Sequence, residues 1–131
     1  MDVCLDTSAY SAFKRGHAGV VEAVARSTRI VISPIVLGEL HAGFKAATRQ
    51  RENEEELKQF LGSPRVELVH VNDGTSERYG EILTHLRRAG TPIPTNVVWI
   101  ASTAMQSAAA VLTTDAHFRK VPQVITDLHT L

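Results

Sequence analysis

Short apolar runs, set between longer segments of helical spacing, organise this chain. Val3-Cys4-Leu5 and Ala110-Val111-Leu112-Thr113 show no polar alternation. That is the pattern of strands covered on both faces in a parallel sheet. Arg29-Ile30-Val31-Ile32 and residues 66–71 read the same way, and a weaker run lies at Gln123-Val124-Ile125. Between them, Asp6 or Thr7 caps a short helix through residues 10–14, and a second helix covers 17–26. Ser33-Pro34 opens a long helix to about 47, with Ile35, Leu37, Leu40 and Phe44 on its buried side. The charged stretch 49–58 leads into Leu57, Phe60 and Leu61, completing a helical hairpin with a solvated outer face. Gly62-Ser63-Pro64 breaks the chain. Asn72 or Asp73 starts a helix to about 89, where Tyr79, Ile82, Leu83 and Leu86 fall at helical spacing and Gly90 ends it. Pro92 and Pro94 hold the next segment extended, and Thr95 caps a helix to about 108. Strands alternating with helices predict right-handed crossovers. The expected fold is one three-layer α/β/α domain over residues 1–131, with a mainly parallel sheet of four or five strands.

Three of these elements deliver acids to one edge of the sheet. The first strand runs into Asp6 and the run at 110–114 into Asp115. Glu39 lies one or two turns into the helix that follows the strand at 29–32. Ligands of open α/β sheets sit outside the carboxyl ends of the strands. Three carboxylates gathered there predict a divalent-metal site. Hard oxygen donors favour Mg2+ or Mn2+ over softer ions. Asp6 and Asp115 are the expected direct ligands. Glu39 is either a third ligand or the base that orients an attacking water.

Composition narrows the function classes. A chain of 131 residues with 44% hydrophobic positions, eight glycines and five prolines is expected to be globular and ordered. Its formal net charge of zero argues against broad electrostatic binding of nucleic acid, though not against a local basic rim. Cys4 is the single cysteine and sits in a predicted buried strand, so an inert core thiol in a reducing cytoplasm is expected. No basic-then-apolar leader opens the chain, and no apolar run approaches membrane-spanning length.

Four segments carry a family resemblance. Val3-Cys4-Leu5-Asp6-Thr7-Ser8 looks like an opening motif of aspartate and small hydroxyl residues. Ser33-Pro34-Ile35-Val36-Leu37-Gly38-Glu39-Leu40 is similar to a glutamate-bearing segment. Ile93-Pro94-Thr95-Asn96-Val97-Val98-Trp99-Ile100-Ala101 looks like the segment of a third acid. Leu112-Thr113-Thr114-Asp115-Ala116-His117-Phe118 resembles a closing motif. Together, in order and across the whole chain, they resemble the PIN-domain ribonucleases, and in particular the VapC-type toxins of bacterial toxin–antitoxin modules. The resemblance implies a metal-dependent endoribonuclease that cuts structured RNA, a small antitoxin partner and a homodimer. Val20, Val21 and Phe44, apolar residues on short helices, are read as surplus to one small core and so as support for the dimer. Thr7, Ser8, Asn96 and Thr113 are expected to hold the carboxylates by hydrogen bonds.

One position departs from the family pattern. Aspartate is expected after the asparagine, and this chain has Val97. Valine cannot bind a metal. Either the natural protein lost this ligand or it was removed. The expected consequence is an inactive or attenuated ribonuclease. The alternative reading is a non-catalytic module that binds RNA or antitoxin. A receiver-type phosphoacceptor protein also gathers acids at a sheet edge, but Val69-His70-Val71-Asn72-Asp73 offers it no strong match. The six histidines show no metal-ligand spacing, and His41 and His117 read as surface or packing residues. Trp99 reads as core. Ser8 has no His/Asp relay, and no glycine-rich phosphate loop is present.

Overall fold

A computed structural model describes residues 1–131. Five parallel strands form one sheet in the order β3-β2-β1-β4-β5. They are β1 (Asp2–Leu5), β2 (Arg29–Ile32), β3 (Val66–Leu68), β4 (Ala110–Thr113) and β5 (Thr126–Leu128). Helices α1 (Thr7–Lys14) and α2 (Ala18–Arg26) join β1 to β2. Helices α3 (Pro34–Ala46) and α4 (Gln50–Leu61) join β2 to β3, and α5 (Asp73–Ala89) and α6 (Thr95–Gln106) join β3 to β4. The chain adds strands on one side of β1 as far as β3, then returns to pair β4 on the other side. That reversal between β1 and β4 makes a crevice at their carboxyl ends.

Local chemistry sets most boundaries. The Asp6 carboxylate accepts the Ala9 N–H and starts α1, and Ser33 does the same for Val36 ahead of Pro34. Asn72 and Thr75 form a reciprocal cap on α5, which ends at Gly90 with φ +69°, a conformation glycine adopts without steric cost. His17 caps α2 through its ring nitrogen. The three central strands are almost wholly apolar and buried, as a sheet covered on both faces requires. A cluster of 26 buried residues fills the space around them, with Phe118, Leu5, Ile30, Ile32 and Leu112 among its largest members. Burial, helped by the charge on Asp6, pushes the Cys4 thiol up to about 12, which keeps it protonated and inert. No helix is long and apolar enough to cross a membrane.

Several sequence expectations need correction. The third strand is confined to residues 66–68 and is partly exposed, because it lies at a sheet edge and pairs on one side only. The last strand lies at 126–128, three residues beyond the apolar run. Val111 bonds the carbonyl of Ile125, which leaves the Ile125 side chain exposed. Thr95 opens α6 from inside, and Pro94 occupies the cap position without a side-chain bond. Trp99 is half-buried and stacks on Tyr79 at 4.1 Å between ring centres. Val20 is fully buried, so it is not surplus to the core; Val21 remains exposed.

Replacing Leu112 by alanine is expected to cost about 2–5 kcal/mol, because its side chain lies fully buried in the central strand β4. Ile125→Ala, at 73% exposure, is expected to cost under about 0.5 kcal/mol. Urea unfolding of both variants measures the difference.

Candidate active site

The register of β1 against β4 brings the acids together. Leu5 pairs with Leu112, so Asp6 and Thr113 follow side by side at the carboxyl end of the sheet. Asp115 lies two residues further and caps a short 3-10 turn over Ala116–Lys120. Glu39 reaches the same place from α3, and Asn96 and Val97 from the first turn of α6. A cleft of about 240 Å³ is lined by Asp6, Thr7, Ser8, Glu39, Asn96, Val97 and Asp115, with Ser11, Ile100 and Phe118.

Each carboxylate is held by neutral donors. Thr113 donates to Asp6 Oδ2 at 2.6 Å, Ser8 donates to both Asp6 oxygens at 2.9 Å, and the Ala9 N–H donates to Oδ1 at 2.8 Å. The two hydroxyls are fixed in turn by the chain beyond β4. The Thr114 N–H donates to Ser8 at 3.0 Å and the Asp115 N–H donates to Thr113 at 2.8 Å. Glu39 receives Thr7 Oγ1 on one oxygen at 2.5 Å and Asn96 Nδ2 on the other at 2.7 Å. Asp115 Oδ1 accepts the His117 N–H at 2.9 Å and lies 2.8 Å from the same residue's ring Nδ1.

Asp6 is 4% exposed. Burial is the main cause that raises its carboxyl above the usual value, and Asp115 adds a smaller push; the bonds from Thr113, Ala9 and Ser8 pull the other way. An all-oxygen donor set around a carboxylate that is strained by burial and by a like charge suits a hard divalent cation. No three His, Cys, Asp or Glu side chains lie close enough to enclose one ion. Glu39 accepts one donor on each of its oxygens, from Thr7 and from Asn96. Mg2+ commonly takes only one or two protein carboxylates and keeps several waters, so this set is sufficient for it.

Sequence reasoning missed four residues here. Ser11 lies one turn beyond Thr7 on α1, a spacing that places it on the same face. Ile100 follows Asn96 by four residues on α6 for the same reason. Phe118 closes the floor of the cleft from the 3-10 turn. His117, read from sequence as a surface or packing residue, is exposed and touches Asp115 through both ring and backbone. His41 is exposed as well and pairs with Glu54 on α4 instead, outside the cleft lining.

A five-stranded parallel α/β fold with three acids and their hydroxyl and amide supports in the β1/β4 crevice defines a class of acidic-cleft α/β proteins. Comparison with known proteins narrows it. Residues 3–124 match the PIN domain family. Ribonuclease VapC2 of Rickettsia felis is 32% identical over 106 residues, which cover 80% of this chain and 78% of that protein. Ribonuclease VapC4 of Mycobacterium tuberculosis is 30% identical over 71% of this chain and 72% of its own. The solved VapBC2 complex of Rickettsia felis, bound to a DNA fragment from its promoter, superposes with a TM-score of 0.83 at 29% identity, covering 97% of this chain and 98% of that one. The chain therefore belongs to the PIN-domain family and, within it, to the VapC-type ribonucleases.

The buried Asp6 generates a prediction in the absence of metal. Its carboxyl binds a proton more tightly in the folded chain than in the unfolded one. The folded state is therefore favoured where Asp6 is protonated, and this contribution is lost as pH rises from the unfolded value of 3.8 through the raised folded one. Asp6→Asn is expected to remove that loss and to raise the melting temperature at neutral pH in chelator. Thermal melts of both forms between about pH 4 and pH 7 check the sign. Parallel curves for the two proteins would refute it.

Proposed function

We propose that this chain is the toxin of a toxin–antitoxin pair, a cytoplasmic endoribonuclease dependent on Mg2+ or Mn2+, with attenuated activity in its present form. The convergence of Asp6, Glu39 and Asp115 on one cleft, in a chain of the VapC-type group, carries this reading. Asp6 and Asp115 would hold the ion. When bound, the ion lowers the pKa of a water and stabilises charge on the leaving oxygen of the phosphodiester. Glu39, whose two oxygens accept from Thr7 and Asn96, would serve as the base toward the attacking water. Ser8 and Thr113 fix Asp6, and the His117 backbone and ring fix Asp115, so the two metal-facing carboxylates stay oriented without the ion.

Val97 decides how well this works. It is 3% exposed and borders the cleft in the first turn of α6, next to Asn96. A carboxylate there would complete a four-acid set. The valine instead packs, and spares the metal-free protein one more buried negative charge. Partners follow from the same reading. RNA is the substrate, and a small antitoxin covers the cleft, presenting a basic side chain to the acids. The VapBC2 complex is the relative that supports an antitoxin partner. A non-catalytic RNA- or antitoxin-binding role is the second reading, favoured by Val97 alone. Each protomer contributes its own cleft to a homodimer.

Val97→Asp is expected to raise metal-dependent cleavage of a structured RNA by at least about 10–100-fold, the range seen when only supporting contacts of a metal site are lost. It should also lower the melting temperature in chelator and regain part of it in Mg2+ or Mn2+, since a ligand bound only by the folded state stabilises that state. A cleavage assay and paired melts test this. Strong metal-dependent cleavage by the Val97 form would show that three acids suffice. Light scattering at high protein concentration checks the dimer, with a monomer mass as the contrary result.

A further inference from the structure

The acidic cleft is lined by three carboxylates and by no lysine or arginine. A phosphodiester strand is a polyanion, so it needs cations at the rim of such a cleft. Most elements that line the cleft offer none nearby. α6 carries no basic residue. On α3, Lys45 lies about 9 Å along the helix from Glu39. On α1, Lys14 is paired with Glu56, and Arg15 lines the separate pocket between α1, α3 and α4. The 3-10 turn over Ala116–Lys120 differs. It starts at Asp115 and contributes Phe118 to the cleft. It also carries Arg119 and Lys120, both exposed and neither in an ion pair.

The geometry of the turn sorts these two cations. Its hydrogen bonds link residues three apart: the Phe118 N–H donates to the Asp115 carbonyl and the Val121 N–H to the Phe118 carbonyl. Side chains three apart therefore eclipse. Phe118 and Val121, 1% and 2% exposed, form the buried face. Ala116 and Arg119 share a second face. His117 and Lys120 share the third, and the His117 ring Nδ1 lies 2.8 Å from Asp115 Oδ1. Lys120 thus projects from the Asp115 side of the turn, about 6 Å along its axis from His117. On the ribonuclease reading above, we propose that Lys120 binds a backbone phosphate of the RNA, next to the phosphate that meets Asp6 and Asp115, and so positions the strand for cutting. An ammonium on a four-carbon stem acts as a point charge and takes a phosphate without reading the base. The contact is therefore the same for every sequence. Arg119, on the neighbouring face, adds only to the general field.

Fluorescence anisotropy with a labelled uridine RNA dodecamer, in chelator to prevent cutting, tests this. Lys120→Gln should weaken binding about 5–10-fold at about 50 mM salt. It should also reduce the slope of log affinity against log salt by about 0.7, the value for one phosphate contact on a single strand. Lys120→Arg should preserve both. Arg119→Gln removes the same charge from the same turn and should change the slope by less than about 0.3. Lys58→Gln, in the last turn of α4 and leading to the amino end of β3, should leave binding unchanged. In the Val97→Asp background, Lys120→Gln should raise KM for a structured RNA and leave kcat within about 2-fold, because a phosphate held equally before and during the reaction is uniform binding. Unchanged binding in Lys120→Gln overturns the proposal. So does an equal loss in Arg119→Gln, which would mark a diffuse field, or a fall in kcat with KM unchanged. If Lys120→Gln weakens the antitoxin complex and leaves RNA binding intact, the turn is a protein contact and the proposal falls. Cleavage by Val97→Asp that is indifferent to Lys120→Gln removes the phosphate contact and keeps the nuclease. Absence of both dodecamer binding and Val97→Asp cleavage removes the nuclease reading and the contact with it.

Discussion

Pairing of β1 with β4 is the constraint on which the rest depends. The two strands are separated by more than a hundred residues of chain, yet their register places Leu5 opposite Leu112. A shift by one residue would turn buried side chains to the other face of each strand and leave Thr113 out of reach of Asp6. Thr113 makes the pairing chemically specific. Its hydroxyl donates to Asp6 and accepts from the Asp115 N–H, so one fully buried side chain fixes both acids. Ser8 closes the same circuit through the Thr114 N–H.

The site built on this pairing opposes stability. Burial favours the neutral form of Asp6, and Asp115 adds to the cost of charging it. The surrounding donors offset part of it and hold the carboxylates where a cation would meet them. Preorganisation of this kind places a site on rigid elements and accepts a local loss. Val97 lies at the balance point. An apolar side chain there helps the core, and a carboxylate there would help the ion.

Around this centre the helices divide their roles. α1 and α3 carry Thr7, Ser8 and Glu39, and α6 carries Asn96 and Val97, so the cleft is walled by the first turns of α1 and α6 and the middle of α3. α4 stands further out. Its contacts with α1 and α3 run through the Tyr10–Phe60 edge contact, the Lys14–Glu56 pair and the His41–Glu54 pair. Ser11 on α1 borders both the acidic cleft and a separate pocket between α1, α3 and α4.

The sequence alone determined the central strands, because short unbroken apolar runs rich in valine and isoleucine, bounded by Asp6, Ser33 and Asp115, match buried parallel strands in length and flanking signals. It also determined which acids and hydroxyls stand at their carboxyl ends, since a strand's direction fixes which end each residue follows. Edge strands were less legible. β3 and β5 pair on one side only, so their extent is set by what the neighbouring strand offers and not by their own apolar content. The tertiary structure decided what depends on distance through space. It set Glu39 against Asn96, 57 positions away. It sent Val20 into the core and stacked Trp99 on Tyr79. It joined Ser11 to a second pocket that no motif marks. Local pattern records what each residue prefers. Which residues meet across a sheet or between helices follows from packing, where many weak preferences are settled together.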